Sequence, residues 1–264
     1  IPIPPLYAQA IADHPSPWMA SVNQFLGLGG TGTTPGAFWA GVGFLSFSLM
    51  QFIASPILGR MSDKVGRKPV LWMSLVGSAF GYLMLALTSR FEWMLAARIL
   101  DGITGGNISV AQAAMADTST PEERSKVLGM IGAAFGLGFV LGPAMAGILS
   151  GSAFGHHLLA TRGWHLPFFV AAGLSLLASL MVLLWLPETL TDEVRARARS
   201  HESRGHALVK AMRIPGMAQL LLVSLLAMAG FAMMEGTFAL MVHQRFDFHQ
   251  REVGFLFAGI GVLM

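Results

Sequence analysis

Cysteine is absent from all 264 residues, which excludes a disulfide scaffold, a zinc-thiolate centre and thiol catalysis. Charge is nearly as scarce. Only 12% of residues are Asp, Glu, Lys or Arg, against about 25% in ordinary soluble domains. A soluble chain of this size could not stay dispersed on so little charge. Hydrophobic residues reach 54%, and the mean hydropathy is +0.61. The charge is missing in blocks: none falls between His14 and Gly59, Pro69 and Ser89, Val127 and Thr161, Gly163 and Pro187, or Ile214 and Met234. A bilayer core takes roughly 20 apolar residues per helix. Membrane helices are therefore predicted at 37–58, 69–88, 93–116, 126–149, 165–187 and 216–242, with another starting near 252. There is no initiator Met and no signal peptide. The opening Ile1–Tyr7 reads as the last turn of a helix whose body lies upstream, which makes 37–58 the second helix, 93–116 the fourth, 126–149 the fifth and 216–242 the seventh. The chain is expected to be a fragment, cut within a helix at both ends.

The net charge of +3 and pI near 9.7 could suggest nucleic acid. The positions of the bases argue otherwise. Connections alternate between two sides, and 12 of the 17 bases fall on one of them: Arg60, Lys64, Arg67, Lys68, Arg124, Lys126, Arg195, Arg197, Arg199, Arg204, Lys210 and Arg213. The other side holds four, Arg90, Arg162, Arg245 and Arg251, and Arg98 lies inside a helix. Basic residues are enriched in short cytoplasmic loops, so the first side is expected to be cytoplasmic. Residues 8–36 are expected to form an outer loop rich in Pro, Gly and Thr. Residues 188–215 read as a polar cytoplasmic linker, dividing an N-terminal bundle at 1–187 from the start of a second bundle at 216–264.

Some patterns suggest chemistry without supporting it. Gly27-Leu28-Gly29-Gly30-Thr31-Gly32 spells GxGxxG, but a dinucleotide site needs it between a strand and a helix with an acid about 20 residues on. Here it falls in the outer loop, and no charge follows before Arg60. His156, His157 and His165, like His243 and His249, lack partner carboxylates at ligand spacing and read as solvated loop histidines. The 17 methionines are scattered through the helices and read as packing. No metal or cofactor is expected, nor any catalytic constellation.

One turn carries more. Gly59-Arg60-Met61-Ser62-Asp63-Lys64-Val65-Gly66-Arg67-Lys68 sets one acid among four bases, with a glycine near each end. Gly59 and Gly66 would allow a tight reversal, and Asp63 can cap a helix or pair with Arg67. A positive-inside anchor accounts for the bases but not for Gly-x3-Asp-Lys-x-Gly-Arg-Lys. That string resembles the loop signature of the major facilitator superfamily at every defining position. Arg98-Ile99-Leu100-Asp101-Gly102 is similar to the family's fourth-helix Arg-x3-Gly motif, and Gly138 to Gly147, through Gly142 and Pro143, to its fifth-helix antiporter motif. Ala116-Asp117 with Pro121-Glu122-Glu123-Arg124, and Pro187-Glu188-Thr189, resemble the fourth-to-fifth loop and the close of the sixth helix. The resemblance is nearest to the tetracycline and multidrug proton-antiporter branch, partly through Gln51 and Gly102-Ile103-Thr104-Gly105. The chain departs from it at Ala146, which replaces the first of the motif's final two glycines, and at Phe80-Gly81, where tetracycline exporters carry an acid.

The residues of the fourth helix agree with a transporter. At helical periodicity Arg98, Asp101, Gly102, Gly105, Ser109 and Gln112 share one face within about 100°, a polar stripe that lipid would not tolerate. Asn107 lies off it and could bond to a neighbouring helix. Intramembrane charges are costly and usually line a water-filled path; the plain alternative is that Arg98 and Asp101, three apart, only neutralise each other. In the fifth helix Gly129, Gly132, Gly136, Gly138 and Gly142 are expected to let helices approach closely, with Pro143 permitting a bend. Glu235 is the sole charge of the seventh helix.

The expected fold is an all-α membrane protein of the major facilitator type, two six-helix bundles of inverted repeats truncated at both ends. The resemblance implies proton-coupled efflux of a drug-like or amphiphilic small molecule by alternating access from the inner membrane. A metabolite or sugar uniporter or symporter on the same scaffold is the alternative, and a receptor without transport is disfavoured. The expected partners are substrate, protons and lipid, with the protein acting as a monomer. The resemblance further implies a charge cluster of Gly59, Asp63, Gly66, Arg67, Lys68 and Asp117 that latches the outward-open state. Arg98, Asp101 and Glu235 are the candidates for proton coupling, Gln51, Ser109 and Gln112 for the substrate cavity, and Gly138, Gly142, Pro143 and Gly147 for a hinge.

Overall fold

A computed structural model of the chain describes residues 16–28, 35–88, 90–120, 122–150, 165–190, 212, 214–248 and 250–263. The Ile1–Tyr7 turn, most of the GxGxxG string, the loop with His156 and His157, and most of the expected linker lie outside them. Among the described residues the regular structure is α-helical: α1 (Pro17–Phe25), α2 (Pro35–Val65), α3 (Arg67–Leu87), α4 (Phe91–Gly105), α5 (Ile108–Asp117), α6 (Arg124–Ser150), α7 (Leu166–Trp185), α8 (Met217–Phe246) and α9 (Gln250–Leu263). Stretches of α2, α3, α6, α7 and α8 are each long and apolar enough to cross a membrane. These helices also expose large side chains along their length, including Phe52, Phe135, Leu177, Leu184, Trp185 and Leu225. Such continuous apolar surface suits a lipid environment.

The helices pair by sequence neighbourhood and by return. α3 lies along α7, α2 along α4, and α6 along α9. At the end where α4 begins, Met19, Trp39, Leu85, Phe91, Met94 and Phe168 form a buried cluster. At the opposite, basic end Val70, Leu71, Val110 and Ala114 are buried together. A third cluster joins Phe139 of α6 to Phe238 and Val242 of α8 and to Val253 and Phe257 of α9.

Several expectations change, three of them in the arrangement of the helices and their ends. The stretch 8–36 is not loop throughout: Pro17 opens α1, suited to a first helical position where its missing N–H costs nothing. Met19 is buried beneath α1, while Trp18 Nε1 donates to Glu92 (2.6 Å) and Trp39 Nε1 to Asn23 (2.9 Å). His165 is not solvated; it is buried, with Nδ1 2.6 Å from the Ala86 carbonyl. The helix predicted at 93–116 is interrupted at Gly106-Asn107. A break inside a membrane helix frees backbone groups that lipid cannot satisfy. Here Gln51 Nε2 donates to the Gly105 carbonyl (3.0 Å), Ser109 Oγ to the Gly106 carbonyl (3.4 Å), and the Asn107 carbonyl accepts from the amides of Val110 and Ala111.

Candidate functional site

The basic end is built around Arg67. α2 does not stop at residue 58 but runs to Val65, so Gly59 sits inside a helix and is buried, and takes no part in a turn. Gly66 alone makes the reversal, at φ +124. This points the Arg67 side chain back along α2. Its Nη1 donates to Asp63 Oδ1 (2.6 Å) and to Ser62 Oγ (2.6 Å), and its Nε to Asp117 Oδ2 at the end of α5 (3.1 Å). Arg67 is 5% exposed, and Ser62 Oγ donates in turn to the Gly59 carbonyl. Asp63 and Asp117, far apart in sequence, thus share the Arg67 guanidinium. Lys68 is half-buried, and its amide donates to Glu188 (3.2 Å). Ser62 and Glu188 also belong to this cluster and are not among the residues the sequence assigns to it; both lie inside quoted motifs, but nothing near Glu188 in sequence announces its partners.

The second group lies within the bundle. Arg98 Nη2 donates to Asp101 Oδ2 at 2.5 Å, and each side chain is only 3% exposed. The Arg98 guanidinium also stands 5.2 Å over the Phe47 ring of α2. Removing two charges from water costs several kcal/mol each after relaxation, repaid only by close geometry and further bonds. Around the pair, Ser78 of α3 and Thr104 of α4 share a hydroxyl bond at 2.9 Å, and Thr104 also donates to the Leu100 carbonyl. Gly102 lets α4 meet α2 directly, since a Cβ there would collide with the Phe47 carbonyl oxygen.

The stripe predicted on one continuous helix is two pieces. Arg98, Asp101 and Gly102 are buried on α4, Gly105 closes it, and Ser109 and Gln112 belong to α5 with a reset phase. Ser109 Oγ bonds the Ser55 carbonyl (3.2 Å), so both it and Gln51 hold the seam between α2 and the broken helix. Gln112 is exposed. Asn107 occupies the break and caps α5 through its backbone, its side chain making no cap bond. Gly138, Gly142 and Pro143 lie in α6, which continues through the proline to Ser150, and Gly147 lies on the same helix. Among the described residues the close helix approach expected at the α6 glycines is not found: a Cβ at Gly129, Gly132, Gly136, Gly138 or Gly142 would meet none of them within 4 Å. α6 instead meets its neighbour through Phe139, whose ring lies 6.2 Å from that of Phe257. Glu235 is placed in α8; its side chain lies outside the described residues.

Membrane-length apolar helices enclosing a desolvated ion pair, with a second charge cluster at their basic end, define a multi-pass helical membrane protein. The chain matches the Major Facilitator Superfamily over residues 5–264 and belongs to it. It is 37% identical over 229 residues to the class B tetracycline resistance protein of Escherichia coli, covering 84% of this chain and 53% of that one. It is 35% identical over 237 residues to the major facilitator superfamily domain-containing protein 10 of Bos taurus, covering 83% and 49%. The chain therefore spans about half the length of the curated relatives it matches. The crystal structure of the human organic anion transporter MFSD10 superposes with a TM-score of 0.72 at 28% identity, covering 99% of this chain and 64% of that one. A bacterial homolog of the lysosomal transporter Spinster, at 19% identity and TM-score 0.52, shares the fold.

Proposed function

We propose that the protein containing this chain is a proton-coupled exporter of drug-like or amphiphilic small molecules working by alternating access in the inner membrane. The observation that carries the reading is the Arg98–Asp101 pair, two charges desolvated inside a membrane bundle at 2.5 Å. A fold that needed only stability would gain by replacing such a pair with apolar side chains. Intramembrane charges of this kind mark ion and substrate paths. Coupling requires that proton and substrate favour opposite-facing states, and an acid whose counter-ion moves with the cavity supplies that competition. Asp101 is the acid in place, and Glu235 stands on the helix that opens the expected second bundle. The likeness to a tetracycline resistance protein and to an organic anion transporter supports small-molecule export as the direction.

In this reading the Asp63–Arg67–Asp117 cluster is the latch of the outward-open state, residues 188–215 are the cytoplasmic linker, and Gly138, Gly142, Pro143 and Gly147 flex or seal between the bundles. The protein acts as a monomer, with substrate, protons and lipid as its partners. The test is flux of a lipophilic cation or anion in proteoliposomes holding the full-length protein, with and without an imposed proton gradient. Accumulation that requires the gradient upholds export by antiport. Equilibration that ignores it leaves a uniporter.

A further inference from the structure

Glu188 lies just past the end of α7, where the expected linker begins, yet three backbone amides converge on it. Its Oε1 accepts from the N–H of Arg67 (2.8 Å) and of Leu190 (3.0 Å), and its Oε2 from the N–H of Lys68 (3.2 Å). Arg67 and Lys68 open α3, so their N–H groups have no partner within the helix. A side chain at position 66 would ordinarily cap them, but Gly66 has none. Its φ of +124 disfavours any other residue, and a Cβ there would run into the Glu188 carboxylate. The cap of α3 is supplied instead from 121 residues further along the chain. A carboxylate in that place also faces the positive end of the α3 dipole.

The residue whose amide Glu188 holds is the residue whose guanidinium joins Asp63 to Asp117. We propose that Glu188 is a positioning residue for this cluster. By fixing the backbone of Arg67 it fixes where the guanidinium starts, and it ties the first residues after α7 to the same point. Thr189 and Leu190, 7% and 6% exposed, lie down on the bundle beside it. The consequence for flux rests on the transporter reading above; the capping does not.

The experiment uses the full-length protein with Glu188→Ala, Glu188→Gln, Asp63→Asn and the Asp63→Asn/Glu188→Ala double variant. Amide hydrogen exchange over the first turn of α3 should quicken by roughly five- to tenfold in Glu188→Ala, the loss expected of a removed cap. Glu188→Gln, which keeps one acceptor oxygen, should fall between. In flux assays Glu188→Ala should lower the maximal rate several-fold at unchanged KM and add nothing further in the Asp63→Asn background. Unchanged exchange overturns the cap itself. Quickened exchange with flux losses that multiply in the double variant overturns the positioning role. Quickened exchange with normal flux in every variant, Asp63→Asn included, overturns the part of the cluster in transport while the cap stands.

Discussion

Gly102 lies so close to Phe47 that a single added carbon would strike the Phe47 carbonyl oxygen, with Phe47 Cα at 3.1 Å and Met50 Cβ at 2.9 Å behind it. Two of these three atoms are backbone and the third is bonded directly to it, so the seam between α2 and α4 has no soft side chain to give way. That contact brings Phe47 over the Arg98 guanidinium one turn along α4. The glycine therefore sets the floor of the buried pair as well as the helix spacing.

Gly102→Ala should lower the melting temperature of the purified full-length protein by an amount equivalent to about 1–3 kcal/mol, the usual cost of overpacking. Gly138→Ala serves as the contrast. With nothing within 4 Å of its Cβ, the same change there should stay within about 0.5 kcal/mol. Equal destabilisation at both sites would mean that the α6 glycines are packed after all.

The helices and the two charge groups were legible because charge-free runs and positive-inside bias follow from the cost of dehydrating ions. What escaped depended on which backbone lies opposite. The spacing of Gly138 and Gly142 is as suitable for close packing as that of Gly102 and Gly106, but only the latter face backbone, at Phe47 and Ser55. The break at Gly106 was written in Gly105-Gly106-Asn107, a breaker pattern that the apolar run around it masked. α2 passes through Arg60 and Asp63 because polar residues at a helix end need water, not a turn. Glu188 could be read as part of a motif, but its role as the cap of α3 is visible only when the chain has folded back 121 residues.

Asp63→Asn removes one of the two carboxylates on Arg67 and leaves the fold standing, since the Asp63 side chain is 30% exposed and Asp117 remains. The expected loss of stability is about 1 kcal/mol. Transport should fall by roughly tenfold, equivalent to about 1.4 kcal/mol, with membrane insertion unchanged. Flux at the wild-type rate in a correctly inserted Asp63→Asn protein would reduce the cluster to a topological anchor.

The absence of cysteine from this chain makes its orientation directly measurable. Single cysteines at Asp63, Arg124 and Arg204 should react with a membrane-impermeant maleimide only from the cytoplasmic side, and those at Ser21 and His157 only from outside. The expectation follows from 12 bases on one side against four on the other. Labelling of position 204 in intact cells would invert the topology and with it the direction of export.

Under the proposed reading, Arg98 is the residue that tells a pump from a passive carrier. An arginine does not release its proton in a protein, so its proposed part in the cycle is played through its charge and its planar donors. Both are engaged: Nη2 on Asp101 at 2.5 Å and the guanidinium face over Phe47 at 5.2 Å. Arg98→Ala leaves Asp101 desolvated without its counter-ion, a state that costs about 3–5 kcal/mol, and it breaks the link between the acid and the cation beside it. Such a site no longer exchanges its proton in step with substrate. Proton-driven accumulation should therefore be lost, while downhill exchange of substrate persists. Arg98→Lys should rescue little, because an ammonium restores the charge but neither the fork geometry nor the stacking surface. The measurement is accumulation against counterflow in proteoliposomes, read on the same preparation so that folding losses cancel. Normal uphill transport by Arg98→Ala would make the pair structural and favour a uniporter on the same scaffold.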